Sequence, residues 1–445
     1  MKDLWNRTAA LVRRSGLILN IQRVWLLIVL WAVLANLAYQ TNRDIFFRLS
    51  YLILIIVGVS LVWAFYSVQS FRLERHLLTP HAQVGRIAEE RFVATSTGRI
   101  GKLWVELRDR GNLPGHPVSR VLSAMSPGVR YNWTVRSLSR LRGRFQLGPI
   151  TILSGDPFGL FVFERTLRDT ERTIVVYPMT VDLPSFAAPL GHLRGGDARQ
   201  QRTHFVTTSA ASVREYAPGD SFNRIHWSST ARHDRLIVKE FELDPTADVW
   251  ILLDMEHGAH AGTWWEQAWY ERELTDLWVQ ERVTRIAPNT EEYSVTVAAS
   301  LAKYYLDRQR AVGLAASNAL RAFAQPDRGE RQLTRLLEML AVMESDGNMP
   351  FGQMLAEETV RLGRSATLVL ITPSPDPQWV HFAQDARRRG LHLIVVFVDP
   401  STFGYQGDVG AIIGEVAASA ITTYVVRQGG DLRQALGGER SKLAA

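Results

Sequence analysis

The run Val249-Trp-Ile-Leu-Leu-Asp254 places five apolar residues in a row and stops on a carboxylate. Three further runs share its character: Ala311-Val-Gly-Leu-Ala315, Ala366-Thr-Leu-Val-Leu-Ile371 and Leu391-His-Leu-Ile-Val-Val-Phe-Val398. Strands buried on both faces read this way, because neither side of the pleat meets water. Between the runs, apolar residues recur at helical spacing over residues 293–308, 330–343, 351–362 and 377–389. Strands alternating with helices predict a parallel sheet covered on both sides, that is, a doubly wound α/β domain over residues 246–445. A last strand near Thr422-Thr-Tyr-Val-Val426 and a short helix at 431–436 close it.

Working toward the N-terminus, the pattern changes to alternation. Residues 92–95, 103–107, 131–135 and 173–177 read as short strands, and Gly111-Asn-Leu-Pro-Gly115, Ser126-Pro-Gly128 and Gly148-Pro149 punctuate them as turns. This predicts a small β-sandwich over residues 72–182. Residues 183–245 read as a linker, polar at first around Arg194-Gly-Gly-Asp-Ala-Arg199, then dense in charge.

Residues 24–42 and 49–71 form stretches of 19 and 23 residues without a charge. An α-helix needs about 20 such residues to cross a hydrocarbon core. The expectation is a transmembrane hairpin over residues 24–71, with Trp25, Trp31, Tyr39, Trp63 and Tyr66 available as interfacial anchors. Lys2, Arg7, Arg13, Arg14 and Arg23 precede the first span, Arg72, Arg75 and Arg86 follow the second, and only Arg43 and Arg48 lie between. The positive-inside rule then puts the segment 1–23 and everything after residue 71 in the cytoplasm, as a multi-pass plasma-membrane protein. A cleaved signal peptide is the competing reading of the first span. The long charged leader and the second span that follows at once argue against it.

Composition narrows the function classes. With 46% hydrophobic and 21% charged residues the chain is an ordinary folded protein, which excludes extensive disorder. The absence of cysteine excludes disulfides, thiolate catalysis and zinc–thiolate sites. The formal net charge of +7 fits attraction to anionic lipid, and no basic run interleaved with aromatics points to nucleic acid. Walker A, Gly-x-Ser-x-Gly, His-Glu-x-x-His and dinucleotide fingerprints are all missing.

The densest motif runs Arg214-Glu215-Tyr216-Ala-Pro218-Gly219-Asp220, then Arg224-Ile-His226-Trp227, Arg232 and Lys239-Glu240. Pro218-Gly219 predicts a tight turn, after which Asp220 is placed to cap a short helix carrying Arg224, His226 and Trp227. One reading is an anion site or an acid–base centre, with His226 as general base, Arg224 or Arg214 binding an anionic group, and Asp220 beside them. The other is a salt-bridged network that fixes a loop between domains.

This string resembles the signature of the bacterial family called domain of unknown function 58. Arg142-Gly-Arg-Phe-Gln-Leu-Gly-Pro149 and Gly155-Asp-Pro-Phe-Gly-Leu-Phe161 also match that family's pattern, as do the paired N-terminal spans. The resemblance implies a C-terminal domain like von Willebrand factor type A, and a link with MoxR-type AAA+ ATPases as partners. It implies no reaction. A type A domain usually holds a divalent metal through Asp-x-Ser-x-Ser after its first strand. Here Asp254 is retained, but Glu256 and Gly258 stand in place of the serines, and Thr372 ends the later strand. Asp254, Glu256 and Thr372 form a degenerate site that could take Mg²⁺, or Asp254 simply caps the next element. No cofactor is otherwise expected.

Residues 262–288 read as an insertion carrying Trp264, Trp265, Trp269 and Trp278. Such a segment either docks on a partner or packs on the sheet, and its acidic residues argue against a bilayer surface. Taken together, these features predict a membrane-anchored scaffold or adaptor working through protein–protein interaction. The alternative is a membrane-associated enzyme or anion-binding protein that uses the charged motif.

Overall fold

The structure, a computed structural model, describes residues 17–19, 21–186, 210–215, 226–233, 235–241, 248–263, 286–362, 366–419 and 421–437. It forms two compact units, one built on residues up to Thr180 and the other on most of the chain from Val181 onward.

The first unit begins with strand β1 (Leu17–Leu19), helix α1 (Ile21–Thr41) and helix α2 (Asp44–Gln69). Both helices are long and apolar enough to cross a membrane. Leu26, Ile55 and Val62 stand exposed along them. The sequence placed the end of the second span at Phe71. In the fold α2 stops at Gln69, Ser70 Oγ caps it by donating 2.7 Å to the Tyr66 carbonyl, and Phe71 already opens a strand. Phe71 belongs to that strand because it alternates with Leu73 and Arg75 in facing inward.

Ten strands follow: β2 (Phe71–Leu77), β3 (His81–Gln83), β4 (Ile87–Ser96), β5 (Lys102–Asp109), β6 (Arg120–Met125), β7 (Arg130–Leu138), β8 (Gly143–Leu147), β9 (Ile150–Gly155), β10 (Phe161–Leu167) and β11 (Arg172–Tyr177). They make three sheets, ordered β1-β10-β9-β5-β6, β2-β4-β7 and β3-β11-β8. The first two sheets, both antiparallel, share one core that includes Leu73, Phe92, Leu107, Ile152 and Phe163. Ala64 and Val68 of α2 enter that same core, and α2 packs along β9 and β10. Phe65 meets Phe163 edge to face at 5.6 Å. The buried Lys102 ammonium lies between Ser70 Oγ (3.1 Å) and Ser96 Oγ (2.8 Å). There the carbonyl end of α2 favours a cation, although burial lowers the lysine pKa.

The second unit holds the hairpin β12 (Ala210–Glu215) and β13 (Ile237–Phe241), with helix α3 (Trp227–His233) between them. The remaining elements run β14 (Val249–Leu253), α4 (Thr290–Asp307), β15 (Val312–Ala316), β16 (Phe323–Asp327), α5 (Glu330–Ala341), α6 (Phe351–Arg361), β17 (Thr367–Thr372), α7 (Gln378–Arg388), β18 (His392–Val398), α8 (Gly410–Ala418), β19 (Thr422–Val426) and α9 (Leu432–Gly437). Six strands form one sheet in the order β16-β15-β14-β17-β18-β19, all parallel except the antiparallel edge strand β16. On one face Leu252, Leu370 and Val395 pack with Phe351 and Leu355 of α6, Trp379 of α7 and Ile412 of α8. The alternate residues Ile251, Val369 and Ile394 are equally buried, and α4 lies across β14, β15, β17 and β18. The continuous apolar runs are therefore the central strands, as their composition predicts.

Candidate functional site

The sheet order places a topological switch point between β14 and β17. The chain leaves β14 to build β15 and β16 on one side, then returns to add β17 on the other. In open α/β sheets the crevice beyond the carboxyl ends of the strands at such a point is where ligands bind. Asp254 sits there, one residue past β14, and is fully buried.

Its carboxyl group is held entirely by neighbouring donors. Thr372, the last residue of β17, donates its hydroxyl to Asp254 Oδ2 at 2.6 Å. The Glu256 N–H donates to Oδ1 at 3.1 Å, and the Ser317 hydroxyl lies 3.4 Å from the same oxygen. Ser317 Oγ in turn accepts the Met255 N–H at 2.7 Å, and Thr372 Oγ accepts the Ser374 N–H at 2.9 Å. His260 faces the Asp254 carbonyl through Nε2 at 3.0 Å and Thr290 Oγ through Nδ1 at 3.1 Å. Burial pushes the Asp254 carboxyl up to about 7, against the lowering effect of the Thr372 hydrogen bond. Ser317 is a member of this cluster that sequence reading did not single out. Its signal, a serine one residue past a buried strand, is too common to select.

Gly347 completes the floor. Its N–H donates to the Met255 carbonyl at 3.0 Å, and its carbonyl accepts from His257 at 2.9 Å. A Cβ at this position would fall on the Ser317 carbonyl, so only glycine fits.

Above this floor lies a cleft of ≈ 260 Å³ between Glu256, the β17–α7 loop and the first turns of α6 and α7. Glu256, Ser374, Asp376 and Gln353 supply its polar lining, Phe351 and Phe382 an apolar one, and no lysine, arginine or histidine is among the lining residues. The oxygen-only donors around Asp254 are of the type a hard cation takes. Each Asp254 oxygen is nevertheless already engaged by a hydroxyl or an N–H, and the group is sealed from solvent. Among the described residues, no group of three or more His, Asp or Glu side chains is gathered to hold a metal ion. The arrangement is that of a capped turn, whose hydrogen bonds a cation at Asp254 would have to replace.

The charged motif is placed in part. The β12–β13 register sets Arg214 opposite Val238 and Glu215 opposite Ile237, and sets Lys239 and Glu240 opposite Val213 and Ser212. The described helix α3 starts at Trp227, and His226 immediately precedes it. The His226 carbonyl accepts the N–H groups of Ser229 and Thr230, each at 3.0 Å, and its Nδ1 lies 2.7 Å from Ser229 Oγ. These are capping contacts, and the His226 N–H is tied to the Ile237 carbonyl at 2.8 Å. Trp227 and Arg232 are exposed. Tyr216, Pro218, Gly219, Asp220 and Arg224 lie outside the described residues, as do Trp264, Trp265, Trp269 and Trp278.

A second buried charged cluster lies in the β-rich unit. Arg75 of β2 donates to Glu90 of β4 at 2.9 Å and to Asp109 of β5 at 3.1 Å, and all three side chains are at most 5% exposed. His116 Nε2 is 3.1 Å from Arg75 Nη2. Because a guanidinium only donates, Nε2 is the acceptor, and the ring proton on Nδ1 goes to Ser137 Oγ at 2.7 Å. Burial drives the His116 pKa down to about 4 and raises that of Glu90. The Gly148 N–H donates to Asp109 Oδ1 at 2.8 Å, and a Cβ on Gly148 would come within 3.3 Å of Arg75 Nη1. The Gly-Pro of the first short motif thus serves this cluster.

Comparison with known proteins supports the resemblance. Residues 212–404 match the family described as "Protein of unknown function DUF58". A relative from Bacillus subtilis (strain 168), the uncharacterized protein YeaD, is 24% identical over 245 residues, which is 55% of this chain, and the chain spans about half of that relative's length (54%). Among solved structures, proximal thread matrix protein 1 from the mussel byssus is 13% identical with a TM-score of 0.28, covering 44% of this chain and 47% of that one. The CARDB domain of a Pyrococcus furiosus protein is 13% identical with a TM-score of 0.17, covering 24% and 91%. Likeness at these TM-scores carries no argument about fold or function. The match over residues 212–404, joined to the motif that it contains, identifies that part of the chain, β12 to β18, as a DUF58 region.

Proposed function

We propose that this protein is a membrane-anchored scaffold whose α/β unit offers the cleft beside Asp254 to a protein partner in the cytoplasm. The observation that carries the reading is the Asp254 floor. A buried carboxyl group committed to Thr372, Ser317 and the Glu256 N–H suits a rigid support better than a group that meets a substrate. The acidic and aromatic lining above it suits a basic side chain, through charge and cation–π contact. The α1–α2 pair serves as the anchor, with both flanks at the cytoplasmic side. The strand order and the position of Asp254 support a domain of the von Willebrand factor type A kind, and the family resemblance points to a MoxR-type AAA+ ATPase as the partner.

Crosslinking mass spectrometry on protein taken from native membranes, with and without Mg²⁺, tests this. Carbodiimide crosslinks from Glu256 or Asp376 to lysines of one AAA+ ATPase are expected, and they should be lost in Glu256→Gln/Asp376→Asn. Recovery of no stoichiometric protein under either condition would overturn the reading.

A further inference from the structure

The Gly155-Asp-Pro-Phe-Gly-Leu-Phe161 motif forms the turn between β9 and β10 and displays one aromatic residue. Asp156, itself buried, accepts the Phe158 N–H at 2.8 Å through Oδ2 and the Phe161 N–H at 2.7 Å through Oδ1. The turn is thereby stiffened, yet Phe158 is 58% exposed. Burying an aromatic ring is worth a few kcal/mol, so a rigid turn that holds one out in the open has something to meet.

The direction of the turn says what it meets. Strand β1 precedes α1 in the chain and pairs antiparallel with β10, Leu17 opposite Phe163 and Leu19 opposite Phe161. The turn before Phe161 therefore lies at the end of β1 from which the chain goes on to α1. Arg23, at the start of the uncharged stretch of α1, reaches the Phe158 carbonyl through Nη1 at 3.5 Å. Gly159 has a φ of +67°, and a Cβ there would come within 2.7 Å of the same nitrogen. Beside Arg23 on α1, Trp25 is 62% exposed. At the far end of the hairpin, Arg165 of β10 donates to the carbonyl of Gln69, the last residue of α2, at 3.3 Å. Strand β10 is thus fastened to the chain where it enters and where it leaves the helical pair.

The geometry points to a second lipid contact of this protein, in which Phe158 of the β9–β10 turn enters the headgroup layer of the bilayer beside Arg23 and Trp25. An aromatic ring flanked by a guanidinium suits that layer, where apolar bodies and cations meet anionic phosphates. The inference rests on the reading of α1 and α2 as membrane spans.

The absence of cysteine from the chain makes the test direct. Phe158→Cys and, separately, Ile55→Cys are labelled with a nitroxide in the full-length protein, reconstituted in vesicles of phosphatidylethanolamine and phosphatidylglycerol. Collision rates with oxygen and with a water-soluble nickel chelate are then compared by electron paramagnetic resonance. Ile55, 60% exposed near the middle of α2, gives the lipid reference, and a free aqueous nitroxide gives the water reference. The expected result is an oxygen-to-nickel ratio at residue 158 several-fold above the aqueous value and below that at residue 55. An aqueous ratio at 158 with a lipid ratio at 55 overturns the inference and leaves the membrane anchor standing. Aqueous ratios at both positions remove the anchor and this contact with it.

Discussion

Thr372 donates its hydroxyl to Asp254 across 2.6 Å, joining the carboxyl ends of two adjacent strands whose residues lie 118 positions apart in the chain. The same Thr372 oxygen accepts the Ser374 N–H, so one hydroxyl fixes both the buried acid and the turn that lines the cleft. Thr372→Val removes the donor to Asp254 and the acceptor for Ser374. An unfolding free energy lower by about 1–3 kcal/mol is expected in denaturant titrations of the detergent-solubilised protein. Thr372→Ser keeps the hydroxyl and should recover most of that loss.

The raised pKa of Asp254 has a definite sign. Its folded value of about 7 lies above the ordinary value of 3.8, so between those values the unfolded chain releases a proton that the folded chain keeps. Stability from this group is therefore greatest at the acidic end, falls as pH rises from about 4 to about 7, and is flat above. Asp254→Asn abolishes the titration. Hydrogen exchange of peptides spanning residues 249–262, followed across that window, should show protection falling with pH in the wild type and a flatter profile in the variant.

Arg75 holds two buried carboxylates at once. Arg75→Met leaves Glu90 and Asp109 without a cation, and a loss on the order of 3–5 kcal/mol is expected. Adding Glu90→Gln and Asp109→Asn to it should restore much of the melting temperature. If the triple variant melts as low as the single one, the cluster matters through packing and not through charge.

Gly347→Ala forces a methyl group onto the Ser317 carbonyl. The loop must shift, at a cost of about 1–3 kcal/mol. The shift would displace Met255 and Glu256 together. Crosslinking through Glu256 should fall in this variant even at temperatures where it remains folded by circular dichroism.

Legibility in the sequence followed burial. Strands β14, β17 and β18 are closed off on both faces, so their composition alone announces them. Strand β16, Phe-Ala-Gln-Pro-Asp, pairs on one side only and is largely exposed, so it has neither an apolar run nor a clean alternation to mark it as a strand. Strand β2 was hidden for another reason. Its first residue continues the apolar run of α2, and its inward-facing Arg75 reads as a surface charge until Glu90 and Asp109 are seen beside it. At the site, Asp254 and Thr372 were legible through the family resemblance, which points to the ends of those strands. Ser317, Gly347 and the sealing of the carboxyl depend on which loops meet, and the spacing of residues along the chain does not encode that.

The placing of Ala64 and Val68, on a helix long and apolar enough to cross a membrane, within the β-rich core has a consequence for biogenesis. Synthesis runs from the N-terminus, so α1 and α2 emerge before any of the strands from β2 to β10 that must close over those two residues. On the proposed reading of α1 and α2 as membrane spans, the β-rich unit assembles on a template already delivered to the bilayer, and insertion and folding become successive stages of one process. A chain beginning at residue 70 would leave Phe161 and Phe163 without the helix that covers them, and such a chain should be recovered bound to chaperones or aggregated.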